Sequence, residues 1–242
     1  MATPAAIGSH RRPASVTGRV RTLVGVAVLF AIAAVAGVKL SSQSPSAPSS
    51  PVAAGVSAPA PAGAASPSST PTAARYVFPV QAAVATYAHG HDDYPASDIL
   101  APCGTAVVAA ADGVVLELNR VDRWDPATDD GAWRGGRFMS ILGDDGVRYY
   151  GAHFSMIVDS LAPGVRVAAG QQIGLVGTTG LSSACHLHFG ISPPCARVGD
   201  WWNRRGVIWP WPYLDAWRAG TSTSAVPEVT AWHAAHGCPA TP

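Results

Sequence analysis

The chain has 242 residues, enough for one or two domains, and a net charge of only +1. The near-neutral sum hides a division: six Lys and Arg and no acid precede Tyr76, while all 15 acids and the other ten basic residues follow it. The acidic C-terminal part has no basic stripe, which argues against an electrostatic nucleic-acid binder, and all eight Trp lie beyond Arg75, which excludes a uniformly disordered chain.

Residues 1–21 form a basic segment carrying Arg11, Arg12, Arg19 and Arg21. Residues 22–38 are uncharged and almost wholly apolar. As a helix they would span roughly 25 Å, near the lower limit for crossing a bilayer. The flanking arginines favour a cytoplasmic N-terminus and export of everything beyond Lys39. The same pattern fits a cleaved signal peptide ending near Ala34-Val35-Ala36. Residues 39–75 follow as a Ser/Pro/Ala-rich linker. Between Ser41 and Ala74 there is no charge and no aromatic side chain, so this stretch cannot bury enough apolar surface to offset its ordering entropy. Partly polyproline-like, it would reach up to ~105 Å and hold a domain away from a membrane.

From Tyr76 onward the apolar period is two. Short strands are predicted over Thr105–Ala110 and Val114–Leu118, joined by Ala111-Asp112-Gly113. Phe138–Leu142 and Val147–Phe154 flank Gly143-Asp144-Asp145-Gly146, a hairpin signal. Val165–Val167, Ile173–Val176 and His186–Ile191 add further strands, with glycines at the junctions. Val121–Gly136 reads as a long loop. Pro212–Ala219 reads as a short helix, with Pro near its start and Gly220 after its end. The fold class is mainly β, a small antiparallel, partly open barrel or sandwich with short C-terminal helices.

Four cysteines, Cys103, Cys185, Cys195 and Cys238, lie in the exported part. Their even number fits disulfides, and the pairing preferred among three is Cys103–Cys185 with Cys195–Cys238. None stands at Cys-x-x-Cys spacing, which argues against a cysteine-based zinc site.

The histidines carry the chemistry. In a strand, His186 and His188 project to one face while Leu187 enters the other. Alone, such a pair is equally at home on a surface or in a core. His91 and Asp98 add an imidazole and a carboxylate on either side of a Pro-containing turn. His91, Asp98 and His188 would make three ligands for one zinc ion and leave a fourth position for water, the pattern of a catalytic site. His153 is a further candidate base.

Four ordered motifs resemble the lysostaphin/LytM-type zinc endopeptidases that cut peptidoglycan peptides. They are Asp98-Ile99-Leu100-Ala101-Pro102-Cys103-Gly104-Thr105 after a ligand His, Tyr150-Gly151-Ala152-His153, the Gly-rich stretch Gly164–Gly180, and His186-Leu187-His188-Phe189-Gly190. The resemblance covers roughly residues 76–192, read as the peptidase domain, and leaves 193–242 as a Trp-rich extension packed on it. It implies His91, Asp98 and His188 as zinc ligands, with His153 and His186 as catalytic histidines beside the metal. It also implies peptidoglycan peptides as substrate and an extracytoplasmic location, either secreted or held at the membrane by the N-terminal helix. The usual family spacing is His-x3-Asp, whereas here it is His-x6-Asp, so His89, which stands at x3 from Asp93, is the alternative ligand. The alternative function is a catalytically inactive LytM-like module that binds cell wall or regulates a hydrolase. In the extension, Trp201, Trp202, Arg204, Arg205, Trp209, Trp211 and Trp217 suit either packing over the sheet or contact with a sugar or carboxylate. His233 and His236 are expected on a terminal helix at the surface.

Overall fold

The computed structural model describes residues 74–242. The basic segment, the apolar helix and nearly all of the linker expected over residues 1–75 lie outside them. Among the described residues no helix is long and apolar enough to cross a membrane.

Among the described residues, nine strands build two antiparallel sheets. In chain order they are β1 (Ser97–Leu100), β2 (Ala106–Val108), β3 (Gly113–Asn119), β4 (Phe138–Gly143), β5 (Arg148–Ala152), β6 (Phe154–Ile157), β7 (Arg166–Val167), β8 (Gln172–Val176) and β9 (His186–Ser192). The larger sheet has the order β1-β9-β5-β4-β3-β7, and the smaller one β2-β8-β6. The described residues form two antiparallel sheets and no closed barrel, in keeping with the expected mainly β class.

The alternation of apolar residues explains the layering. On β9, Leu187, Phe189 and Ile191 are all at most 3% exposed and enter the core. Ile99 from β1, Val107 from β2, Ile141 from β4 and Val176 from β8 join them. The opposite side of β9 carries His186, His188 and Gly190. The tight turn between β4 and β5 is fixed by Gly146, whose φ is +81°, and by the Asp145 carboxylate, which accepts the Val147 N–H at 3.0 Å.

Two expectations need correction. The run Val147–Phe154 is not one strand: His153, at φ +65°, separates β5 from β6. A non-glycine residue in the left-handed region is uncommon and has to be held there by its surroundings. Here the His153 N–H donates to the Gly135 carbonyl at 2.9 Å. Also, a helix precedes the expected one. Three helices, α1 (Trp201–Arg204), α2 (Trp211–Arg218) and α3 (Val226–His236), form the C-terminal region. His233 and His236 lie exposed on α3.

The helices share the core of the sheets. Trp217 of α2 is 4% exposed, stacks on Tyr76 at 5.4 Å, and meets Tyr149 and Phe189 edge-on at 6.2 Å. Beneath α1, Arg148 of β5 is fully buried and pairs in bidentate fashion with Asp200, at 2.5 and 3.0 Å. Cys103 is bonded to Cys185 and Cys195 to Cys238, with Cα separations of 5.2 and 5.4 Å.

Candidate functional site

Strand register brings the polar cluster together. Asp98 on β1 stands directly opposite His188 on β9, and on the other side His188 stands opposite Ala152, the last residue of β5. Directly paired residues of an antiparallel ladder hold their Cβ atoms about 4.5–5.5 Å apart on one face. His153 follows Ala152, and its left-handed backbone aims the ring back toward β9. The His153 and His186 ring centroids are 4.6 Å apart. His91 arrives from the loop before β1, with its ring centroid 5.3 Å from that of His188.

His91, Asp98 and His188 offer donor atoms that all lie within 4.8 Å of one another. His188 Nδ1 lies 2.9 Å from Asp98 Oδ1, and His91 Nε2 lies 3.8 Å from Asp98 Oδ2. The other ring nitrogen of His188, Nε2, lies 2.9 Å from the Arg205 carbonyl oxygen. A carbonyl only accepts, so Nε2 carries a proton and donates it. In the neutral ring Nδ1 then has a lone pair facing a carboxylate. That contact is favourable only with a positive charge between or upon the two groups, either a second ring proton or a metal cation. Two imidazoles and one carboxylate are donors that suit zinc, so the residues fit the ion. Burial pushes the Asp98 carboxyl up, but the hydrogen bond and charge of His188, followed by His186 and His91, outweigh it and hold the group down at about 2.

His153 and His186 are fixed in the same manner. His153 Nδ1 donates to the Thr179 carbonyl at 2.7 Å, and His186 Nδ1 to the Ala184 carbonyl at 2.8 Å. Each therefore keeps an Nε2 lone pair, and that of His186 lies 3.6 Å from Asp98 Oδ1. Burial, with the neighbouring His188 and His186, drives His153 down to about 3. Burial and then the charge of His188 also lower His91.

These five residues line one cavity of about 280 Å³. His89, the alternative to His91, does not line it. His89 Nε2 faces Asp215 at 3.1 Å, and its ring stacks on Trp211 at 4.3 Å. The sequence reading gave no role to several other lining residues, notably Tyr94, Arg134 and Tyr150. Arg134 lies on the long loop between β3 and β4, where nothing in the sequence marks it. Trp201, Arg204 and Arg205 also line the cavity, so the extension does more than cover the sheet.

Residues 93–199 match peptidase family M23. Over 129 residues the chain is 30% identical to the glycyl-glycine endopeptidase ALE-1 of Staphylococcus capitis, a match covering 53% of this chain and 31% of that protein. The chain thus spans about a third of the length of that curated relative. Among solved structures, the catalytic domain of the antimicrobial peptidase lysostaphin from Staphylococcus simulans is similar at 26% identity and a TM-score of 0.42, covering 54% of this chain and 92% of that one. A zinc-containing peptidase from Vibrio cholerae is similar at 21% identity and a TM-score of 0.35, covering 50% of this chain and 34% of that one.

Proposed function

On the match of residues 93–199 to peptidase family M23, we propose that the chain is an exported, zinc-dependent endopeptidase that hydrolyses peptide bonds of peptidoglycan stem peptides or cross-bridges. The observation that carries this reading is the convergence of His91, Asp98 and His188 within 4.8 Å, with His153 and His186 beside them in one cavity. In this reading the first three hold one zinc ion. Bound there, zinc supplies Lewis acidity that polarises a scissile carbonyl and lowers the pKa of water from 15.7 toward about 7.

The chain's own residues do the rest. His153 and His186 donate their Nδ1 protons to backbone carbonyls, so each presents Nε2 as a proton acceptor. One takes the proton of the attacking water and passes it to the departing amine. The protonated ring donates a hydrogen bond to the oxygen that gains charge. Burial keeps the His153 ring neutral at neutral pH, so its Nε2 lone pair stays unprotonated. Export is supported by the two disulfides, which persist in oxidising compartments, and by the basic flank of residues 22–38. The presence of all five candidate groups in one cavity favours this reading over an inactive wall-binding or regulatory module.

The test is mass spectrometry of peptidoglycan fragments after incubation with the zinc-loaded full chain, purified in detergent, against His188→Ala. New peptide termini that appear only with the intact protein are expected. Identical fragment patterns from the two proteins would rule out the peptidase reading.

A further inference from the structure

Three guanidinium groups line the cavity, and they are not equivalent. Arg134 is held by Asp129, at 2.8 and 2.6 Å. Arg204 is buried and held by Glu117 at 3.0 Å. Among the described residues Arg205 alone of the three has no carboxylate within ion-pair distance. Its Nε is buried and has no hydrogen-bond partner. The group is nevertheless held in place: it lies 3.9 Å from the centroid of the Tyr94 ring and 5.2 Å from that of Trp201. The Tyr94 ring is in turn 4.5 Å from that of His91. Asp92 and Asp93 line the same cavity but leave Arg205 unpaired.

A guanidinium stacked between two rings has lost most of its rotamer freedom before any ligand arrives, so less is lost when it forms hydrogen bonds. A guanidinium with no carboxylate partner in the protein leaves its outer N–H donors to a ligand that enters the cavity. Guanidinium geometry matches a carboxylate, which takes two parallel N–H bonds. Arg205 and Trp201 both lie beyond residue 199, where the family match ends. They belong to the C-terminal extension, not to the matched domain.

We propose that Arg205, packed against Tyr94 and Trp201, binds a free carboxylate of the substrate one ring away from His91 of the candidate ligand set. The substrate class is then an acidic peptide, such as a stem peptide with an unamidated carboxyl group, rather than a neutral glycine bridge. This rests on the peptidase reading above and narrows it.

The experiment uses the zinc-loaded full chain and two synthetic stem-type peptides that differ only in one group, a free carboxylate or its carboxamide. kcat/KM for the carboxylate peptide is expected to exceed that for the carboxamide by about tenfold or more, as a charge-assisted hydrogen bond gives. In Arg205→Gln that ratio should collapse toward one. In Arg205→Lys, which keeps the charge without the fork, it should fall in between. Calorimetric titration of the same two peptides should show the same preference in binding. Equal turnover of both peptides by the unaltered chain would overturn the Arg205 assignment and leave the peptidase reading standing. Cleavage of neither would count against the peptidase reading, and the calorimetric ratio would then decide the carboxylate site by itself. If Arg205→Gln fails to fold, the peptide pair on the unaltered chain still decides.

Discussion

Three histidines around the cavity each donate one ring N–H to a backbone carbonyl: His153 to Thr179, His186 to Ala184 and His188 to Arg205. This choice of tautomer decides which nitrogen faces the cavity. Period-two alternation already put His186 and His188 on one face. The carbonyls that orient them left no trace in the sequence, because every residue carries one. The histidines split into two tests. His153→Ala should keep its zinc but lose turnover by about 10² or more, read as metal content beside peptide hydrolysis. Unchanged turnover would remove His153 from the chemistry. Its burial also sets a pH dependence. The folded chain refuses a proton on His153 until about pH 3, whereas an ordinary histidine accepts one near 6.5. Stability present above pH 6.5 is therefore lost progressively as the pH falls toward 3. Asp98, depressed from 3.8 to about 2, adds its loss only at the acid end of that range. The urea midpoint of the metal-free chain should fall between pH 6.5 and 4.5, and fall less in His153→Gln. Parallel curves would contradict this.

At the scale of elements, the strands and the β4–β5 hairpin were legible, because alternation and turn residues are local signals. The break at His153 was not, since a left-handed histidine inside an alternating run looks like any strand residue. Helix α1 was missed because four residues are too few to show a helical period. Gly190 on β9 read as part of a family motif, but its physical role needed coordinates. A Cβ there would lie 2.3 Å from the Arg205 carbonyl oxygen. The absent side chain thus lets Arg205 approach β9 and accept from His188. Gly190→Ala should push that carbonyl away. Zinc affinity should drop by about 10- to 100-fold, as when other partners that orient a metal-binding histidine are lost, and the fold should weaken by about 1–3 kcal/mol. Competition with a chromophoric chelator measures the first effect and urea unfolding the second. Unaltered affinity would mean that the Arg205 contact does not orient the ring.

For residues 74–242 as a whole, the C-terminal extension is part of the structure that carries the cavity. Trp217 sits in the shared core, Arg148 and Asp200 tie β5 to the start of α1, and Cys195–Cys238 closes the far end. The Trp-rich composition made a packed extension readable. The contribution of its arginines to the cavity wall depended on long-range folding and was not. The buried Arg148–Asp200 pair is the most sensitive joint. Asp200→Ala leaves a guanidinium uncompensated in the interior and should cost about 3–5 kcal/mol in denaturant unfolding. A cost below about 1 kcal/mol would show that water reaches Arg148. The two disulfides close segments of 82 and 43 residues in sequence, worth about 4 kcal/mol each by loop-closure entropy.

The central claim is that His91, Asp98 and His188 hold one metal ion, and zinc content after exhaustive equilibrium dialysis tests it most directly. The unaltered chain should retain one zinc per molecule, and His91→Ala, Asp98→Ala and His188→Ala should each retain far less while remaining folded by circular dichroism. Full retention of zinc by the His188→Ala variant, or none by the unaltered chain, would contradict the account.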